Sequence, residues 1–267
     1  MNVAIGLRKL GADVAFLSSC GHDKKGKELL KYLEDNGIST KYIQKNDYPT
    51  GIVNVCLTAD NDAKYEIVFP SAWDYIDEPG DLQDYDVLIF GSLSCRNTTS
   101  FETLKTLLYQ DVFKVFDVNL RPPYIDQKTI ELLLLTADIV KMNHEELFLI
   151  SDWNGQETDD LEHAAERVFQ KYNIKVLCVT LGAEGAFLMK GHDKIHQKGF
   201  RVKTTDTVGA GDAFLAGFIH EYLRNKPLKE TLEFACRLGA YVASREGANP
   251  PFLKPSLAKL RKGNEER

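Results

Sequence analysis

Residues 206–218 read DTVGAGDAFLAGF, a stretch that could do chemistry. Three small residues, Gly209, Ala210 and Gly211, stand directly before an acid, Asp212. Apolar side chains follow at Phe214, Leu215, Phe218, Ile219, Tyr222 and Leu223. That spacing is one helical stripe and predicts a helix over 210–224. The N–H groups of a helix's first turn lack internal partners and carry positive partial charge. Small residues there let a bulky anion reach the backbone, so the segment suits a phosphate or a developing negative charge. It is not a Walker A loop, because GxxxxGK[ST] is absent. The same residues would equally serve a plain helix start, with Asp212 as a favourable first-turn acid and the glycines allowing tight packing.

Four other stretches carry polar groups in apolar surroundings. KMNHEEL places Asn143 three residues before Glu146, the spacing of a helix capping box. VTLGAEGAF sets Thr180, Gly182 and Gly185 between two β-rich runs, where two glycines also fit a hairpin turn. FDVNLRPPYI carries Asp117, Asn119 and Arg121, and a guanidinium fork suits phosphate or substrate oxygens. REGANPP brings a late glycine, Gly247. The six histidines form no HExxH spacing, and His144 reads as solvent-facing.

Strands and helices must position these groups. A short helix is expected in NVAIGLRKLG, ending at Gly11, and a strand in DVAFLSSC. A helix over 24–36 stops at Gly37. Three extended runs follow, TKYIQ, GIVNVCLT and AKYEIVF, with DNDA as a turn between the last two. From Asp86 the strands DVLIFGS, VFKVFDVN, DIVKMN and KVLCVTLG alternate with helices at 100–108, 128–136, 145–150 and 161–172. GAFLMK and KIHQK are two shorter strands, and a last helix spans 228–244. Strands that are apolar almost throughout, spaced by helices, imply a parallel sheet covered on both faces. Ligands of such sheets bind beyond the carboxyl ends of the strands, where Asp117, Asn119, Asn143, Thr180 and the glycine run fall.

The chain of 267 residues is 43% hydrophobic and carries a net charge of −6, with acids and bases interspersed. No basic stripe is present, which argues against nucleic acid as a partner. The five cysteines make no CxxC pair and read as buried free thiols of a reducing compartment. No apolar run reaches the ~18 residues of a membrane span, and no leader is seen, so a cytoplasmic location is expected. The tail RKGNEER reads as a frayed end.

DTVGAGDAF, from Asp206 to Phe214, is similar without interruption to the D-T-x-G-A-G-D-x-F signature of the PfkB, or ribokinase-like, carbohydrate kinases, and Gly217 also fits. The resemblance implies a ribokinase-like three-layer α/β/α fold with a mostly parallel central sheet. It implies a single domain over 1–267 with a small β lid at about 39–76, which can also form a homodimer interface. It implies transfer of the γ-phosphoryl group of ATP to a sugar hydroxyl. Asp212 would be the general base, and the backbone of Gly209, Ala210 and Gly211 the anion hole. Such transfer depends mainly on positioning and charge stabilisation.

Further roles follow from the same resemblance. Asn143 and Glu146 would hold waters around Mg²⁺. Thr180, Gly182 and Gly185 would form the nucleotide loop. Arg121 would face phosphate or substrate, with Asp117 and Asn119 shaping the sugar or phosphate side. Asp206 and Gly247 would lie at a K⁺ site. Trp73 and Asp74 resemble the family's A-D near the lid hinge. Cys236 departs from the family, where many relatives have an Asn near the base. DVNLRPP and TGIVNV are most similar to fructokinases, which makes fructose the expected substrate ahead of other sugars, 2-keto-3-deoxygluconate and nucleosides. Asn2 matches the last residue of the family's G-G-x-x-x-N motif and would contact substrate. The preceding strand and glycines of that motif are not in this sequence. If they are truly absent, weak or no kinase activity is expected, and a non-catalytic sugar- or nucleotide-binding protein becomes the rival reading. A dinucleotide-binding Rossmann protein is disfavoured, because no G-x-G-x-x-G follows an early strand.

Overall fold

Buried, β-branched runs set the framework. In the computed structural model, which describes residues 1–57, 63–153, 155 and 158–251, strands β5 (Val87–Gly91), β6 (Phe113–Asp117), β7 (Ile139–Asn143), β8 (Val176–Thr180), β9 (Gly185–Lys190) and β10 (Asp193–Lys198) form one six-stranded sheet. Its order is β10-β9-β8-β7-β6-β5. The pairs from β5 to β8 are parallel, and β8-β9 and β9-β10 are antiparallel. Val115, Phe116, Ile139, Val140, Met142 and Val176–Val179 are at most 1% exposed. These strands are therefore covered on both faces, as their continuous apolar sequence requires.

The sheet belongs to the larger of two compact units, Met1–Asp13, Asp86–Leu93 and Val112–Arg267. Helices α4 (Gln127–Thr136), α5 (His144–Asp152), α6 (Leu161–Lys171) and α8 (Leu228–Ala243) pack on its strands. Helix α1 (Asn2–Lys9) packs on α7 (Ala210–Leu223), and α7 on α8. Phe214, Leu215, Phe218 and Ile219 are buried as the stripe predicts, but Leu223 is 49% exposed. Ala213, Ala216 and Gly217 are buried as well. Contact with both α1 and α8 adds burial beyond one stripe in the middle of α7, while Leu223 at its end stands exposed.

The second unit comprises Val14–Tyr85 and Ser94–Asp111. It holds α2 (Lys24–Asp35), α3 (Thr98–Leu108) and two separate two-stranded sheets. Strand β1 (Ser18–Gly21) pairs in parallel with β2 (Ile43–Asn46), and β3 (Val53–Leu57) pairs antiparallel with β4 (Ala63–Ile67). The three extended runs of 40–69 thus divide between two sheets. Strand β1 is shorter than DVAFLSSC because only Ser18–Gly21 finds a ladder partner among the described residues. Residues 60–62 of the expected DNDA turn, the tail RKGNEER and the Cys56 side chain lie outside the described residues and side chains. Cys20, Cys178 and Cys236 are buried and Cys95 half-buried, all as free thiols. No described helix is long and apolar enough to cross a membrane.

Candidate functional site

Strand register lines up the polar groups at the carboxyl edge of the large sheet. Gly91 pairs with Asp117, Asp117 with Lys141, and Asn143 with Thr180. Asn143 and Thr180, expected on the nucleotide side, are therefore neighbours on adjacent strands. Asn143 caps α5 through a reciprocal box: its Oδ1 accepts from Glu146 N–H at 2.8 Å, and Glu146 Oε2 accepts from Asn143 N–H at 2.8 Å. The other Glu146 oxygen accepts from Leu120 N–H at 2.8 Å, which ties the β6 loop to the α5 start. Burial pushes the Glu146 carboxyl up, against those N–H donors.

Gly209, Ala210 and Gly211, expected as an anion hole, stand at the start of α7. Gly209 is the N-cap with φ +80°, a left-handed conformation natural to glycine. A Cβ there would lie 2.7 Å from Ala248, so the late loop closes directly on the helix start. Asp206 locks that approach, accepting from Val208 N–H at 2.9 Å and from Gly247 N–H at 3.1 Å. The two residues expected at a K⁺ site are thus brought together. Ala210 N–H donates to Thr207 C=O at 3.2 Å, a contact that an arriving anion would share or displace. Asp212, in the first turn, accepts from Asn2 Nδ2 at 2.9 Å, and Asn2 Oδ1 accepts from Asn249 Nδ2 at 2.8 Å. Lys9 Nζ in turn donates to the Asn249 carbonyl at 2.6 Å.

Two residues sit at the end of β6 in different states. Asn119 has φ +44°, and its carbonyl and that of Val118 accept from Ser92 Oγ. Arg121 is exposed and donates to its own Leu120 carbonyl at 2.8 Å. Thr180, Gly182 and Gly185 fall on the connection between antiparallel β8 and β9, so this loop is also the hairpin turn that its glycines allow. A Cβ on Gly185 would lie 2.0 Å from Gln197 O, whereas one on Gly182 meets nothing within 4 Å. Cys236 is 7% exposed, and burial pushes its thiol up to about 12.

Three residues were not singled out from sequence. Lys141 is a lone lysine in the apolar strand DIVKMN, a signal that could have been read. Its Nζ lies 2.9 Å from Asp117 Oδ1, with both side chains about a tenth exposed. Burial works against the Lys141 charge, but Asp117, Glu146 and Asp212 outweigh it and hold the ammonium protonated. Asn249 carries no local sequence signal, because its partner is 247 positions away. In the second unit, Arg96 makes a two-pronged buried pair with Asp74 at 2.6 and 2.7 Å. Its guanidinium lies 3.9 Å from the Trp73 ring centroid. A surface depression of about 530 Å³ beside α6 and β10, lined by Glu162, Glu166, Lys194 and His196, contains none of the expected site residues.

The fold recurs in solved proteins. A fructokinase of Vibrio cholerae O395, crystallised with fructose, ADP and calcium, superposes with TM-score 0.84 at 24% identity, covering 96% of this chain and 88% of that one. The architecture is the ribokinase-like α/β fold. The pfkB family carbohydrate kinase profile matches residues 1–255, and the chain belongs to that family. Among its curated relatives, an uncharacterised sugar kinase of Archaeoglobus fulgidus is 29% identical over 90% of this chain and 94% of its own length. Fructokinase-2 of Solanum lycopersicum is 29% identical over 98% of this chain and 86% of its own length.

Proposed function

We propose that this chain transfers the γ-phosphoryl group of ATP to a hydroxyl of a sugar, with fructose the first substrate to test. The observation that carries the reading is Asp212 in the first turn of α7, directly after Gly209 and Gly211 and hydrogen-bonded to Asn2. The fructokinase neighbours favour fructose over 2-keto-3-deoxygluconate or a nucleoside.

In this reading the sugar hydroxyl donates to Asp212, which takes the proton as the sugar oxygen bonds to the γ-phosphorus and the bond to the β-bridging oxygen breaks, releasing ADP. In a loose transition state the proton moves late, so orienting the hydroxyl matters more than basicity. Asn2 holds one Asp212 oxygen and leaves the other to face substrate. The Gly209–Gly211 backbone receives the developing charge of the phosphoryl group. Thr180, Gly182, Gly185 and Arg121 are assigned to the nucleotide, and Asn119 to the sugar.

Asn143 and Glu146 offer oxygens only, each already accepting a backbone N–H. That donor set fits holding waters of Mg²⁺ through remaining lone pairs better than direct ligation. Mg²⁺, when bound, would neutralise charge on the phosphates. Asp206 and Gly247 are assigned to a K⁺ site, where spare carboxylate lone pairs and loop carbonyls suit a monovalent cation.

The test is ADP release over a panel of sugars, with Asp212→Asn beside the parent. Removing a general base is expected to lower kcat by about 10²–10⁴-fold. Equal turnover by both proteins would remove Asp212 from the chemistry. A parent that binds ATP and phosphorylates no sugar would favour the non-catalytic binding protein.

A further inference from the structure

Lys141, paired with buried Asp117, has no part in the roles assigned above, yet it lies against the proposed anion hole. A Cβ on Gly211 would stand 3.2 Å from Lys141 Nζ, so the ammonium fills the space that a side chain at 211 would need. Gly211 is therefore small toward the protein interior as well as toward an arriving anion. Lys141 is the one lysine buried among the described residues, 7% exposed, and its charge is felt by three carboxylates, Asp117, Glu146 and Asp212. Asp117 anchors the ammonium at 2.9 Å. Without Lys141 the centre would carry three acids, faced by Arg121, exposed and near Asp117, and by the Met1 amino group, whose charge acts on Asp117 and Asp212.

A nucleoside triphosphate brings further negative charge to the same place. Like charges brought together in a low-dielectric site are strongly unfavourable. We propose that Lys141 is a positioning residue for the terminal phosphoryl group: held by Asp117 behind Gly211, its fixed charge offsets the acid cluster and lets the anion hole accept the γ-phosphate. The proposal rests on the kinase reading. It assigns the lysine a task that neutralising Asp117 alone does not include.

Lys141→Met alone would leave Asp117 buried without its partner and can prevent folding. The informative comparison is Lys141→Met/Asp117→Asn against Asp117→Asn, which strands no buried carboxylate and differs only at the lysine, with folding of both checked by circular dichroism and thermal melting. Calorimetric affinities for ATP and ADP, in Mg²⁺ and without sugar, give the readout. Relative to Asp117→Asn, the double variant is expected to lose about tenfold in ATP affinity compared with ADP affinity, because only ATP carries the phosphoryl group that Lys141 serves. Its kcat is expected to fall by about 10²-fold, a magnitude typical of losing one charge-stabilising group, with the KM for sugar little changed. A folded double variant with the ATP-to-ADP affinity ratio of Asp117→Asn overturns the proposal and leaves the kinase reading standing. A parent that binds neither nucleotide overturns both.

Discussion

Asn2 and Asp212, 210 positions apart, meet through a 2.9 Å hydrogen bond from the Asn2 amide to the Asp212 carboxylate. The amide cannot rotate freely, because its oxygen is held by Asn249, whose own carbonyl is held by Lys9. A carboxylate fixed in this way presents one oxygen in a set direction. Small errors in such a direction cost about 10²-fold in rate. Asn2→Ala is therefore expected to lower kcat by about 10–10²-fold. Asn249→Ala, one bond further out, is expected to have a smaller effect of the same sign. Steady-state kinetics on the best sugar, with thermal melts as a folding control, measure this. An Asn2→Ala protein with parental kcat would show that the bond does not orient Asp212 for the proposed proton transfer.

Gly182 and Gly185 share a loop and differ in what surrounds them. Both have positive φ, +57° and +108°. Gly185→Ala drives a methyl group into the Gln197 carbonyl, with Gly199 N also within 2.6 Å, while Gly182→Ala meets open space. The second change costs on the order of 1 kcal/mol for the left-handed backbone. The first adds a backbone clash and is expected to cost several times that, on the order of 3 kcal/mol or more. Urea denaturation of both variants checks the order. If Gly182→Ala is stable yet loses ATP affinity, the loop serves the nucleotide as well as the turn.

The helix start at 209–212 was legible because its signal is local: small residues, an acid and a helical stripe stand in one window. The strands of the large sheet were legible because burial on both faces leaves continuous apolar runs. Where the two differ, the cause is long-range. Leu223 reads as part of a stripe until the exposed end of α7 is known. Strand β2 reads as part of one β block until its partner proves to be β1. The link from Asn249 to Asn2 has no spacing to betray it. Lys141 was visible, but only its partner at Asp117 and the side of Gly211 that its ammonium fills give it meaning.

Arg96 and Asp74 form a pair with 1% and 0% of their side chains exposed. Asp74 also caps its own turn, accepting from Ser71 N–H at 2.8 Å, and Arg96 donates to the Val68 carbonyl at 2.8 Å. Breaking a buried pair by removing one partner leaves an uncompensated charge and costs about 3–5 kcal/mol. Asp74→Asn and Arg96→Met should each destabilise the chain by that order. The double variant should cost less than the two single costs added, since neither charge is then stranded. Chemical denaturation of the four proteins completes the cycle, and strict additivity would mean that the pair contributes nothing as a pair.

Asp23 caps α2 and gathers three donors: Gly26 N–H at 2.7 Å, Thr50 N–H at 2.8 Å and Thr50 Oγ1 at 2.8 Å. Those bonds, led by the Thr50 backbone N–H, hold its carboxyl below the ordinary value of 3.8. The folded chain then binds the Asp23 proton less readily than the unfolded chain. Its contribution to stability is complete above about pH 4 and is lost as pH falls through the depressed folded value. Asp23→Asn keeps one acceptor but turns an N–H toward Thr50 N–H, so it should destabilise the protein at pH 7 by at least the ~1 kcal/mol of a lost cap. The gap between parent and variant should narrow as the pH drops below 3.8. Thermal melts of both proteins across that range provide the measurement, and a gap that stays constant down to the acid limit would mean that Asp23 titrates alike in the folded and unfolded chains.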